Sequence, residues 1–402
     1  MEAYLLDWAN LLLRWAHVIV AIAWIGSSFY FVFLDSSLTK PDDPELKARG
    51  VDGELWAVHG GGFYHPQKYL VAPKSLPPNL HWFYWESYST WLTGFALLAV
   101  LYLFNARTFL IDPRVFDWSP PAAIATALAF LVVFWIFYDL ICRWLGEKAG
   151  QVGGDLKVGL AVAIFVVAAS WLACQLFAGR AAFVLVGAML ATAMSANVFF
   201  WIIPGQKKVI AQMKAGQPVD PIHGQRGKQR SVHNTYFTLP VLVAMLSNHY
   251  GWLYQGAHNW IVLVVLMGAG ALIRHSFVAR HKALVQGRRV PWEYAAAGTL
   301  MLAGLAVALK PAPAPALPAA AAPASYAEVR AVIDQRCAMC HNAALAQKNV
   351  ALHTPELLQQ HAQAVYQQTV VLKLMPMNNA TQITDAEREL VRRWFEAGAP
   401  VQ

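Results

Sequence analysis

The chain has 402 residues, 57% of them hydrophobic and 13% charged, with a formal net charge of +8. A soluble globular chain carries nearer ~25% charged residues, so this composition excludes an ordinary water-soluble domain and puts most of the surface against a lipid bilayer. The basic residues lie in short loops between apolar runs, which excludes a nucleic-acid partner and reads as membrane topology.

The first residues, MEAYLLDWAN, lack the basic n-region of a signal peptide, and the apolar run that follows is long enough to span a bilayer. It is read as a first transmembrane helix that is retained. Crossing a hydrocarbon core of ~30 Å takes about 20 residues of helix. Eight stretches reach that length: 9–34, 86–104, 120–142, 157–178, 180–203, 231–250, 257–279 and 292–310. The predicted fold is therefore all-α, with an eight-helix membrane bundle over residues 1–310. Cys142 and Cys174 fall inside apolar segments and are read as small core residues.

Polar residues inside membrane helices are costly and mark functional sites by default, although single ones often make ordinary interhelical bonds. Here they group by depth. His81 and Glu86 open the second helix, and Asn197 lies near the inner end of the fifth. His233, Asn234 and Thr238 begin the sixth, and Arg274 and His275 lie at the same end of the seventh. The first inner loop adds His59-Gly60-Gly61-Gly62-Phe63-Tyr64-His65. Its glycines let backbone N–H groups approach an anion and its aromatics can stack a planar ring, so His59, Gly61 and Phe63 are ligand candidates; a flexible turn with an aromatic anchor is the alternative. Toward the opposite face stand His17, ~12 Å into the first helix, and His249 at the end of the sixth. His233 and His249 are ~24 Å apart along one helix, so they serve two sites, one per leaflet.

After Lys310 comes PAPAPALPAAAAPAS, residues 311–325, a semi-rigid extended spacer. Residues 326–402 have soluble composition and helical patterning. They contain Cys337-Ala338-Met339-Cys340-His341, the C-x-x-C-H pattern of covalent c-type haem attachment, in which the thiols bond the haem vinyl groups and His341 ligates the iron. No second Cys pair supports zinc, and no βαβ pattern supports a thioredoxin fold. A sixth ligand is expected from Leu374-Met375-Pro376-Met377, with Met375, which precedes the proline, preferred over Met377. This unit is expected to be a class I-type cytochrome c domain.

Lys and Arg counts orient the bundle. The loops after helices one, three, five and seven carry nineteen, and the outer loops carry three, Arg107, Arg114 and Arg180. Both termini are thus expected in the periplasm, where c-type haem is attached, with the bundle in a bacterial inner membrane.

The stretches WIGSSFYFVFLD, HGGGFYHPQKYLVAP, LHWFYWESYSTW, ANVFFWIIPGQKK, SVHNTYFTLPVLVAMLSNHY and RHSFVARH, with the tail QKNVALHTPELLQQHAQAVYQQTVVLKLMPMNNAT, resemble the membrane-bound, cytochrome-c-linked urate oxidase family over nearly the whole chain. The resemblance implies oxidation of urate to 5-hydroxyisourate, with electrons passed through haem c to a cytochrome c or terminal oxidase and no hydrogen peroxide formed. Met377 stands where the family leads us to expect leucine, which leaves Met375 as the ligand. The segment from His17 to Phe31 is also similar, more weakly, to small membrane proteins that bind b-type haem.

Joined to the depth grouping, this reading gives His81, Glu86, His233, Asn234 and His275 as candidate catalytic residues and Asn197, Thr238 and Arg274 as substrate contacts alongside the glycine loop. An inner substrate site and an outer haem c lie ~30 Å apart, so a second cofactor, a haem b on His17, with His249, His233 and His275 as further candidate ligands, would bridge them. A cross-helix hydrogen bond is the alternative role for His17. Two other functions stay open: a non-enzymatic quinol or haem relay, and a permease with a cytochrome attached.

Overall fold

A computed structural model of the chain describes residues 2–310, 323–347 and 350–401. A helix occupies each of the eight predicted stretches: α1 (Glu2–Ser37), α2 (Trp85–Leu98), α3 (Pro120–Gly146), α4 (Asp155–Leu176), α5 (Gly179–Lys214), α6 (Pro221–Leu246), α7 (Asn259–Val285) and α8 (Glu293–Ala308). Among the described residues, five of these, α1, α3, α4, α5 and α7, are long and apolar enough to cross a membrane.

The ends differ from expectation for local reasons. α6 starts ten residues before the predicted 231, because Asp220 caps it by accepting from the Ile222 N–H at 3.0 Å and Pro221 suits the first turn. Those added residues are polar, so hydropathy alone places the start too late. α5 runs on to Lys214 through a π-helical turn at Asn197–Ile202. That wide turn immediately precedes Pro204, which has no N–H for the regular helical ladder.

α5 is the central helix. Phe183, Leu185, Val186, Met189 and Leu190 are at most 1% exposed, and α5 packs on α3, α4 and α6. Small residues permit the close approaches, as membrane helix packing requires: a side chain on Gly187 would meet Ala244 of α6, and one on Gly298 of α8 would meet the Ala269 carbonyl of α7. α1 lies at the edge against α2 and α7, and its apolar window is unburied, as a lipid-facing helix should be.

The loop between α1 and α2 forms two small sheets, β1 (Val51–Glu54) with β4 (Gln67–Tyr69), and the hairpin β2 (Ala57–His59) with β3 (Gly62–Tyr64). Gly60 and Gly61 turn the hairpin at φ +58° and +81°, the paired left-handed conformation of a two-residue hairpin loop.

Of the predicted spacer, residues 311–322 lie outside the described residues. The C-terminal unit contains α9 (Tyr326–Arg336), α10 (Pro355–Gln360), α11 (Ala362–Tyr366) and α12 (Asp385–Glu396) around its own core of Val329, Ile333, Leu358, Val391 and Trp394. Ser325 with Glu328 and Thr384 with Glu387 form capping boxes that start α9 and α12. Arg336 joins the two helices through Glu387 at 2.9 Å.

Candidate functional site

A hydrogen-bonded cluster links α3, α5 and α6 at the end of the bundle predicted to face inward. The first π-helical residue of α5, Asn197, donates through Nδ2 to the Tyr138 hydroxyl and to Asn234 Oδ1, both at 2.9 Å. Tyr138 in turn meets His233 Nδ1 at 2.8 Å, and Cys142 Sγ lies 3.7 Å from the same nitrogen. Asn234 donates to the Met194 carbonyl, and the Thr238 hydroxyl donates to the Asn234 carbonyl one turn back. So three predicted substrate or catalytic positions, Asn197, His233 and Asn234, come together, and Thr238 supports them.

A buried ion pair sits against this cluster. Arg230, 2% exposed, donates to Asp139 Oδ1 at 2.7 Å, and the Trp201 indole donates to the same oxygen at 2.7 Å. The Arg230 guanidinium also faces the Tyr138 ring at 5.0 Å and the Trp201 ring at 5.3 Å. His275 forms a second focus on α7: its Nδ1 meets the Tyr236 hydroxyl of α6 at 2.7 Å, and Tyr294 of α8 packs on its ring edge-on at 4.5 Å. Next to it, Arg274 lies over the Phe29 ring at 3.6 Å.

Buried polar atoms without partners mark where a ligand or water would be satisfied. Among the described residues of the bundle these are the acceptors Glu86 Oε2 and Asn197 Oδ1, and the donors Trp135 Nε1, Arg230 Nη1 and Arg274 Nε and Nη2. Five of the six belong to the predicted inner level or to the ion pair beside it.

The other candidates stand apart. His81 is exposed, packs edge-on against Phe83, and lines an open cleft of 510 Å³ with His223 and Lys228. That cleft reaches Ser231, which on a helix points ~160° away from His233, so His81 and His233 do not share it. His59, Gly61 and Phe63 occupy the exposed tip of the β2–β3 hairpin, with Phe63 79% exposed, and the structure does not bring them to the His233 cluster.

Toward the opposite end, His249 is exposed in a 3-10 turn. His17 of α1 bonds through Nδ1 to Thr93 Oγ1 of α2 at 3.0 Å, and its ring lies where a side chain on Gly94 would stand. Thr93 gives its own proton to the carbonyls of Ser89 and Thr90, so His17 is the donor and its Nε2 keeps a lone pair. That disposition leaves Nε2 free to hold a metal.

In the C-terminal unit, α9 ends at Cys337, and the next turn brings the Cys340 and His341 N–H groups onto the Cys337 carbonyl at 3.1 and 3.0 Å. His341 Nδ1 donates to the Val350 carbonyl at 2.9 Å, which frees Nε2 and fixes the ring, as a carbonyl behind a metal-ligating histidine does. Cys337 packs on the domain core, and burial, together with neighbouring Cys340, pushes its thiol up to about 11. Of the two methionines, Met377 Sδ faces Arg180 of the bundle at 4.0 Å. Met375 is half-buried, and its carbonyl is held by Arg388 at 3.0 Å. The disposition of Cys337, Cys340 and His341 thus fits covalent haem attachment with Nε2 of His341 left free.

The profile of the Urate oxidase N-terminal family matches residues 3–310, the whole bundle. The chain belongs to that family. It is accordingly a urate-oxidase-related protein, and its family points to an oxidoreductase. Comparisons with curated proteins and with solved structures return no match.

Within this family bundle, sequence reasoning passed over Tyr138, Asp139, Trp201 and Arg230. The signal was present in Asp139, an acidic residue inside the apolar stretch 120–142, which carries the same default functional reading as the histidines. Arg230 was counted only as a loop charge, because its helix was expected to begin one residue later.

Proposed function

We propose that the chain oxidises urate to 5-hydroxyisourate at the inner end of the bundle and delivers the electrons singly to a haem c held by Cys337, Cys340, His341 and Met375. The observation that carries this reading is a C-x-x-C-H segment with a pre-oriented histidine on a domain fused to, and packed against, a urate oxidase family bundle. The membrane spans number eight in this reading, with the haem domain in the periplasm of a bacterial inner-membrane protein.

Urate plus water yields 5-hydroxyisourate, two electrons and two protons. Near neutral pH urate is a planar monoanion whose edge alternates C=O acceptors with N–H donors. The unpartnered Arg274 Nε and Nη2 form the side-on fork that suits such an anion, while Arg230 Nη1 and Asn197 Oδ1 supply a further donor and acceptor. Tyr138 accepts from Asn197 and gives its own proton to His233 Nδ1, so His233 presents Nε2–H as a donor to a urate carbonyl while Asn197 and Asn234 fix the tyrosine. The protons released as water adds at C5 pass to Glu86 and His275 and, by way of His81, toward the inner surface. Haem c, when bound, supplies one-electron oxidation and passes charge to an external cytochrome c or terminal oxidase.

Electron exit through haem makes oxygen unnecessary as the oxidant. Purified protein under anaerobic conditions should turn over urate with ferric cytochrome c, reducing two cytochromes per urate as the two-electron balance requires. Stoichiometric peroxide in air, with no anaerobic turnover, would refute this.

A further inference from the structure

The methionine loop of the C-terminal unit is pinned from both sides. From behind, Arg388 donates to the carbonyls of Thr369 and Met375. From the front, the bundle end takes hold of it at three points. Gln255 Nε2 donates to the Leu372 and Lys373 carbonyls, each at 3.0 Å. Leu374 fills the space that a side chain on buried Gly251 would occupy. Arg180 Nη1 reaches Met377 Sδ.

Arg180 is itself built in. Its Nε donates to Asn248 Oδ1 at 3.0 Å, Tyr102 donates to the same oxygen at 2.8 Å, and its guanidinium lies over Phe109 at 5.7 Å. Two helices run from this seat to the inner cluster. α5 carries Arg180 at one end and Asn197 at its middle, and α6 carries Asn234 and leads directly into Asn248, so the two foci are ~20–25 Å apart along the same packed pair.

We infer that this seat is the electron-input face of the C-terminal unit: Leu374 in the Gly251 notch fixes the loop, and Arg180 is the positioning residue that aligns it with the bundle. The inference rests on the haem c reading above. Urate is the reductant: each molecule gives up two electrons, which would reach a haem held by Cys337, Cys340 and His341 one at a time, and two protons are released at the inner site as water adds. Docking through the Leu372–Met377 loop would keep a haem held by this unit at a set distance from the bundle, so transfer would not wait on diffusion of a tethered domain.

The test uses full-length holoprotein and three variants, Gly251→Ala, Gly251→Ala with Leu374→Ala, and Gln255→Ala. Hydrogen exchange over residues 372–379 reads docking, the dithionite-reduced spectrum and near-infrared methionine band read haem ligation, and stopped-flow reduction by urate reads transfer. Gly251→Ala should raise exchange and slow transfer, each by at least about tenfold, with ligation unchanged, because the added methyl occupies the place of Leu374. Shortening Leu374 in that background should restore both. Gln255→Ala should move both in the same direction by a smaller factor. Raised exchange with transfer at the wild-type rate would put electron input elsewhere, and unchanged exchange in Gly251→Ala would refute the seat. Failure of urate to reduce even the wild-type haem would instead overturn the functional reading, with docking still measured by exchange.

Discussion

Asp139 faces Arg230 across the α3–α6 contact, and the guanidinium it neutralises is 2% exposed. Removing one partner of a buried ion pair strands the other charge at a cost of ~3–5 kcal/mol, whereas replacing both by apolar side chains is often neutral. Asp139→Ala should therefore melt well below wild type in detergent, and Asp139→Leu with Arg230→Met should regain most of that stability without regaining urate oxidation. A double variant no more stable than Asp139→Ala would show that the pair does not act as a unit. Residue-scale legibility followed locality. Cys337, Cys340 and His341 lie within five residues, so the joint role proposed for them is legible in the chain itself, and the structure adds only that His341 Nδ1 is held by the Val350 carbonyl. Tyr138, Asn197 and His233 meet only after three helices pack, and nothing in their spacing announces the tyrosine.

At the scale of the element, helix positions were readable because an apolar run of bilayer length admits little else, as every predicted stretch shows. Helix ends were not. The polar first turns of α6 and the continuation of α5 to Lys214 depend on a cap and a π-helical turn, which hydropathy does not weigh. In the glycine run, Gly60 and Gly61 make a hairpin turn whose tip is exposed, a local conformation that hydropathy does not weigh either. α1 supplies the prediction at this scale. With Nδ1 committed to Thr93, His17 offers Nε2 to a metal, and we propose that it holds a b-type haem between the inner site and haem c. The pyridine haemochrome spectrum should contain extractable protohaem beside covalent haem in the wild type. His17→Ala should lose the protohaem alone. Fully active protein with haem c and no other redox group would exclude the second haem.

For the molecule as a whole, five of the six unpartnered polar atoms found among the described residues of the bundle belong to the predicted inner level or the ion pair beside it, and the C-terminal unit packs against Arg180, Gly251 and Gln255 of the bundle. Chain-order charge counting anticipated that division, because the loops carrying few basic residues are the ones this unit touches. The seat itself could not be anticipated, since the Leu374–Gly251 fit is a matter of shape between segments more than a hundred residues apart. A substrate site at the basic end predicts sidedness: urate oxidation should be fast in inverted vesicles and slow in intact spheroplasts that lack a urate importer. Equal rates would point to a site open to the outer face.

In the proposed reaction urate electrons leave through a haem held by the chain itself. That route is tested most directly by adding urate to purified, air-oxidised protein without any acceptor and recording the visible spectrum. The reduced α-band of haem c should grow in as urate disappears, at up to two electrons per urate. Urate consumption with the haem remaining ferric, or no reaction in protein whose haem dithionite readily reduces, would contradict that route.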